Sequence, residues 1–263
     1  MTPKRVFIIG SPRSGSSIFT LALRRATGLP GFHEGQVVDM FGKIENVIEQ
    51  HYKIYKGPAS NDRHALGNLP IDEMKNAMAR ALLELNDKLS GGTVWLDKTV
   101  SPGMLPFLRR LSHLDQPFAT FFLYRRPIEN VYSRLKKFPK HDIAYQTMDW
   151  VRIMQGWRGL RGDLPAGSWM EIEHRDMVDH PEQVAEGVAR LVPMTAEQKA
   201  TMVATFATAR PQVLASESVG RMLTLEQTGW SDEQKTIFRD TCTAEMDAWG
   251  YTFDERYRVP PAA

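Results

Sequence analysis

Four short and nearly unbroken apolar runs punctuate the chain: KRVFIIG (4–10), TVWLDK (93–98), FATFFLYRR (118–126) and SWMEIEH (168–174). Continuous rather than alternating apolarity predicts strands covered on both faces. Between and after these runs the pattern predicts helices near 15–26, 36–55, 71–89, 103–113, 127–137, 145–160, 181–191, 195–206 and 231–249. Two of these helices open on capping-box spacing, Thr195 with Gln198 and Ser231 with Gln234, and another carries Pro127 near its first turn. Strands alternating with helices imply an α/β fold with a parallel sheet. KGPASNDRHALGNLP (56–70) reads as a loop, but no shift in composition marks a boundary there, and neither repeats nor low-complexity segments appear. A single domain over residues 1–263 is expected, with a polar excursion in it.

Composition narrows the function. With 42% hydrophobic and 24% charged residues in 263, the chain has the make-up of a globular protein with a sizeable core. Its 33 basic and 31 acidic residues nearly balance, which argues against nucleic acid or an anionic membrane as the main partner. No run approaches membrane-spanning length and no secretory signal pattern opens the chain. The single cysteine, Cys242, cannot form an internal disulfide and reads as a buried thiol. A cytoplasmic location is therefore expected. The seven histidines form no metal-binding spacing, so no metal site is expected, and Trp150 and Trp157 share a helix face suited to core packing.

Candidate chemistry begins at GSPRSGSS (10–17), which follows the first strand and precedes an apolar-periodic helix. The backbone amides of such a loop and the positive end of its helix converge on an anion. A nucleotide triphosphatase carries lysine after the second glycine to reach the β and γ phosphates, with a magnesium-holding hydroxyl beside it. Here that position is Ser16, and the cation sits three residues earlier at Arg13. A guanidinium suits bidentate capture of a shorter anion and can work without a metal. Taken alone, the loop fits a solvated arginine in a strand-to-helix turn equally well.

FFLYRRPIENVYSRLKKF (121–138) supplies a second element. Arg125 ends a strand, and Ser133 lies eight residues later on the helix that Pro127 starts, so an arginine and a hydroxyl could grip one further phosphate. Residues 123–140 hold six basic side chains (Arg125, Arg126, Arg134, Lys136, Lys137 and Lys140) against one acid, Glu129. That is a local positive patch within a balanced total, although a basic helix by itself is ordinarily a solvated face.

Together the two elements resemble those of sulfotransferases that use 3'-phosphoadenosine 5'-phosphosulfate, or PAPS. In that family a P-[KR]-[ST]-G-[ST]-[ST] loop binds the 5'-phosphosulfate, and an arginine with a serine eight residues later binds the 3'-phosphate. The resemblance implies a three-layer P-loop-type α/β fold with a central parallel sheet, and cofactor contacts from Arg13, Ser14, Gly15, Ser16, Ser17, Arg125 and Ser133. It is strongest for the branch with arginine in the loop, which includes tyrosylprotein sulfotransferases and bacterial members. That branch places a general-base glutamate about twenty residues after the arginine and a lysine after a later strand. Glu34, twenty-one residues after Arg13, and Lys98 in WLDKTVSP match these positions, with His33 as a rival base. The R-K-G element of cytosolic members is missing, and Arg221 in SVGR is the candidate to replace it. The resemblance implies metal-independent transfer of a sulfuryl group from PAPS to a hydroxyl or amine, with adenosine 3',5'-bisphosphate (PAP) as product and residues 35–70 shaping the acceptor pocket. A small-molecule kinase or other nucleotide triphosphatase, and a non-catalytic PAP-binding module, are the alternatives. The adenine-stacking partner and the acceptor's identity are not legible.

Overall fold

The computed structural model describes residues 3–32, 34–36, 39–55, 65–114, 117–209 and 222–259. In chain order the elements are β1 (Arg5–Gly10), α1 (Ser16–Thr27), β2 (Gly31–Phe32), α2 (Met40–Tyr55), α3 (Ala65–Asn68), α4 (Ile71–Leu89), β3 (Trp95–Lys98) and α5 (Met104–Ser112). They continue with β4 (Phe118–Tyr124), α6 (Pro127–Lys137), α7 (Ile143–Leu160), β5 (Trp169–Glu173), α8 (Asp176–Asp179), α9 (Pro181–Leu191), α10 (Ala196–Thr208) and α11 (Asp232–Ala248).

The five strands form a parallel sheet in the order β2-β3-β1-β4-β5. All six residues of β1 and all seven of β4 are buried, as central strands between two helical layers require. Alternate side chains serve opposite layers. Phe7, Ile9, Trp95, Phe122 and Tyr124 pack with the apolar faces of α2, α4, α5, α7 and α11. Val6, Ile8, Leu96, Phe121, Leu123 and Ile172 pack with α1, α9 and α10. The result is the expected three-layer P-loop-type α/β fold.

The four strands expected from the apolar runs are present. β2, only two residues long, lacked an apolar run of its own; it is fixed by pairing Gly31 and Phe32 with Leu96 and Asp97. Both capping boxes form with both of their hydrogen bonds. The helix expected from residue 36 starts instead at Met40, because Gln36 takes a left-handed backbone (φ 55°) and donates its N–H to Thr99 Oγ1 rather than entering a helix. Trp150 and Trp157 are fully buried, and Trp157 lies flat on Phe122 with ring centroids 4.6 Å apart. Cys242 is a buried free thiol, pushed well above its usual range by burial. No helix among the described residues is long and apolar enough to cross a membrane.

Candidate active site

β1, flanked by β3 and β4, delivers three chemistry-bearing segments to the carboxyl edge of the sheet, where open α/β sheets place their ligands. The loop Ser11–Gly15 leaves β1. Arg125 follows β4, and Lys98 ends β3 in register with Ile8.

The loop is built around an unfilled helix start. Gly15 caps α1 with φ 84°, a left-handed conformation, and no side chain accepts the helix's first amides. A Cβ there would lie 2.5 Å from Met177 Cε and 2.9 Å from His174 Cδ2, so a side chain would have to displace both, and the left-handed backbone favours glycine in any case. Arg13 also adopts a left-handed backbone, φ 68°. For a residue with a Cβ this is a strained state that clusters at functional sites.

α6 holds the loop in this shape. Asn130 is fully buried and donates through Nδ2 to Pro12 O (2.9 Å) and Ser14 Oγ (3.1 Å), while its Oδ1 accepts from Ser11 Oγ (3.2 Å). Arg134 donates to Ser11 Oγ and to Gln146 Oε1, and pairs with Asp149. Ser133 completes this helix face: its Oγ accepts from Arg13 Nε at 2.9 Å. The residues proposed for two different phosphates thus touch one another. The positive patch read from residues 123–140 is correspondingly smaller at the surface, because Arg126 and Arg134 are buried. Arg126 pairs with Glu129 and donates to the carbonyls of Leu223, Thr252 and Asp254, fastening the C-terminal segment to the start of α6.

Positive charge converges on this corner from several elements. His174, just after β5, is held well below the usual histidine range by burial and then by the guanidinium charges of Arg125, Arg13 and Arg175. Nearby, the buried Glu173 accepts hydrogen bonds from Tyr257 Oη (2.7 Å), Tyr251 Oη (3.2 Å) and the Arg175 N–H. Burial pushes Glu173 up to about 7 against those bonds.

On the other side of β1, Lys98 forms an ion pair with Glu34. The lysine side chain is only 4% exposed and the glutamate 51%, so the pair presents its carboxylate to solvent and its ammonium to the protein. Behind it lies Asp97, fully buried and raised to about 6, first by burial and then by the charges of Glu34 and Asp39.

The structure therefore brings Arg13 to Ser133 and Lys98 to Glu34 across one strand. Ser14 points inward to Asn130, Ser16 is buried, and Ser17 is half-buried on the first turn of α1. His33 and Arg221 lie outside the described residues. Sequence reading missed Asn130 and took Arg134 only as part of a basic patch, although their spacing with Ser133 (i, i+3, i+4) places all three on one helix face. It also missed His174 and Glu173, whose signal was their place at the carboxyl end of a strand.

A parallel sheet whose first strand runs through a glycine-bounded loop into a helix, with helices on both faces, is the P-loop-type α/β arrangement. The chain belongs to the sulfotransferase family, whose sequence model matches residues 3–196. It is a sulfotransferase, an enzyme that moves a sulfuryl group to an acceptor. No curated protein matches its sequence closely enough to count as a relative. Among solved structures, sulfotransferase STF1 from Mycobacterium tuberculosis H37Rv is similar over 91% of this chain and 77% of its own, at 13% identity and a TM-score of 0.50. Sulfotransferase STF9 from Mycobacterium avium is similar over 94% and 77%, at 13% identity and 0.50. Mouse sulfotransferase SULT7A1, solved in complex with PAP, is similar over 92% and 84%, at 10% identity and 0.50. At these identities the likeness is one of fold.

Proposed function

We propose that the sulfuryl donor is PAPS, that the acceptor is a hydroxyl or amine, and that transfer needs no metal ion. The observation carrying this reading is the hydrogen bond from Arg13 to Ser133, which joins the two proposed phosphate-binding elements at the uncapped start of α1. The donor set fits the cofactor: free helix amides and converging guanidinium charges suit a phosphosulfate and a second phosphate. The mouse relative was solved with PAP, which supports the same choice. Ser14 and Gly15 shape the loop, Ser16 and Ser17 open the helix, and Arg125 with Ser133 reads the 3'-phosphate. Arg221 remains a proposed further contact; Leu223, two residues later, is anchored to the start of α6 by both its N–H and its C=O.

When bound, PAPS supplies the sulfuryl group, and its 5'-phosphate oxygen leaves with the bond electrons. Arg13, Lys98 and the loop amides face the negative charge that develops in that displacement, the positioning and electrostatic strategy of phosphoryl transfer. Glu34 takes the proton from the attacking hydroxyl or amine. Its carboxylate is the exposed member of the pair with Lys98, which supports access to an acceptor. His33 is the alternative base. Residues 35–70 run on directly from Glu34, which supports their role in shaping the acceptor pocket within one domain. We place the protein in the cytoplasm without nucleic-acid partners, in keeping with the near-balanced charge and a single, unpaired cysteine.

The test is transfer of labelled sulfate from PAPS to a panel of alcohols, phenols and amines with excess chelator present. Turnover that survives the chelator supports the reading. Magnesium-dependent hydrolysis or transfer from ATP, with none from PAPS, overturns it.

A further inference from the structure

Directly beneath the proposed base lies a group of side chains for which transfer itself provides no role. Asp97 Oδ1 accepts the Thr99 hydroxyl at 2.7 Å, and Thr99 Oγ1 in turn accepts the Gln36 N–H at 3.1 Å. Gly35 sits so close to the Asp97 carboxyl that a Cβ on it would overlap both carboxyl oxygens. Asp97 is fully buried, yet its Oδ2 has no hydrogen-bond partner. An apolar side chain would occupy this place at lower cost, so a carboxyl here calls for a reason. The sheet does not supply one, because β2 is already paired to β3 through Gly31 and Phe32. What the group does hold is residues 34–36, which carry Glu34 to Lys98.

We propose that Asp97 and Thr99 are positioning residues for sulfuryl transfer: by gripping the Gln36 N–H and seating Gly35, they hold the Glu34 carboxylate against Lys98. The inference rests on the reading of Glu34 and Lys98 as the base and the charge-stabilising group. The charge of Glu34 also contributes to raising Asp97, in keeping with the closeness of the two carboxylates. Thr99 is the pivot, since its one hydroxyl donates to Asp97 and accepts from Gln36 at once. Its own N–H is bonded to Ile8 O at 3.0 Å, so the pivot is fixed to the central strand.

The experiment compares Thr99→Val, Thr99→Ser and Gly35→Ala, each alone and with Glu34→Gln, using a verified acceptor for kcat and KM and calorimetry for PAP affinity. Thr99→Val keeps the shape and removes the hydroxyl. Its kcat should fall about tenfold or more, as displacement of a reacting group does, with PAP affinity unchanged. Thr99→Ser should restore most of the lost rate. Gly35→Ala, which lifts the segment without touching Thr99, should reproduce the loss. In the Glu34→Gln background these changes should add little, because the grip acts through Glu34. Full kcat in Thr99→Val, a Thr99→Ser loss as large as that of Val, or full additivity with Glu34→Gln would overturn the proposal. A Glu34→Gln enzyme of normal rate would instead remove the reading beneath it.

Discussion

Arg13 is held with φ 68°, where an L-residue's Cβ crowds the backbone, and this allows its backbone and side-chain contributions to be separated. Arg13→Ala and Arg13→Gly remove the same guanidinium and the same hydrogen bond to Ser133. They differ in that glycine adopts the left-handed state freely, whereas alanine keeps the strain at about 1–2 kcal/mol. Glycine gives back part of that gain through the greater freedom of its unfolded chain, about 0.4–1 kcal/mol. Arg13→Gly should therefore be more stable than Arg13→Ala by about 1 kcal/mol, or roughly 2–4 °C in midpoint for a chain of this size. Both should lose sulfuryl transfer by about 10²–10³, the usual effect of removing one well-placed donor. Thermal unfolding of the two variants side by side, with turnover measured on the same preparations, provides the assay. An alanine variant as stable as the glycine variant would refute the strain argument, and near-normal turnover in either would remove Arg13 from the site.

Three further changes probe the supports of the site. Arg126→Met should destabilise the fold by about 3–5 kcal/mol, because Glu129 is left charged in the core; adding Glu129→Leu should recover part of the loss in denaturant titrations, and no recovery would count against the pairing. Asn130→Ala removes the side chain that ties Ser11, Pro12 and Ser14 together, so PAP affinity measured by calorimetry should drop about tenfold, and unchanged affinity would dissociate α6 from the shape of the loop. Asp97, raised from 3.8 to about 6, holds its proton more tightly when folded, so its contribution to stability is full below the unfolded value and is lost as pH rises through about 6. The loss amounts to roughly 3 kcal/mol; Asp97→Asn should accordingly gain stability relative to the parent between pH 4.5 and pH 8, and a gain in the opposite direction would contradict the shift.

The fold was legible wherever the apolar pattern was continuous or strictly periodic. The central strands, α4 and α6 announced themselves because burial on one or both faces leaves a pattern that composition cannot hide. β2 escaped because two residues are too few to show any period, and its place depends on pairing with Leu96 and Asp97. The premature start given to α2 has a similar cause: Gln36 is drawn into a left-handed turn by Thr99, sixty-three residues away. At the site, the loop and the Arg125–Ser133 pair were readable as spacing. Their mutual contact was not, since nothing in the sequence says that α6 lies across the loop. The same long-range packing reassigns Arg126 and Arg134 from a surface patch to buried supports, and turns Asn130, Asp97 and His174 from unremarked residues into neighbours of the proposed chemistry.

The central claim is that one site reads two phosphates, with Arg13 and the α1 amides on the 5' side and Arg125 with Ser133 on the 3' side. Calorimetric titration of PAP and of adenosine 5'-monophosphate into the unmodified protein and into the Arg125→Ala, Ser133→Ala double variant tests it most directly. PAP should bind far more tightly than the monophosphate to the unmodified protein, and the double variant should erase most of that difference. Equal affinities for the two nucleotides in the unmodified protein would contradict the account.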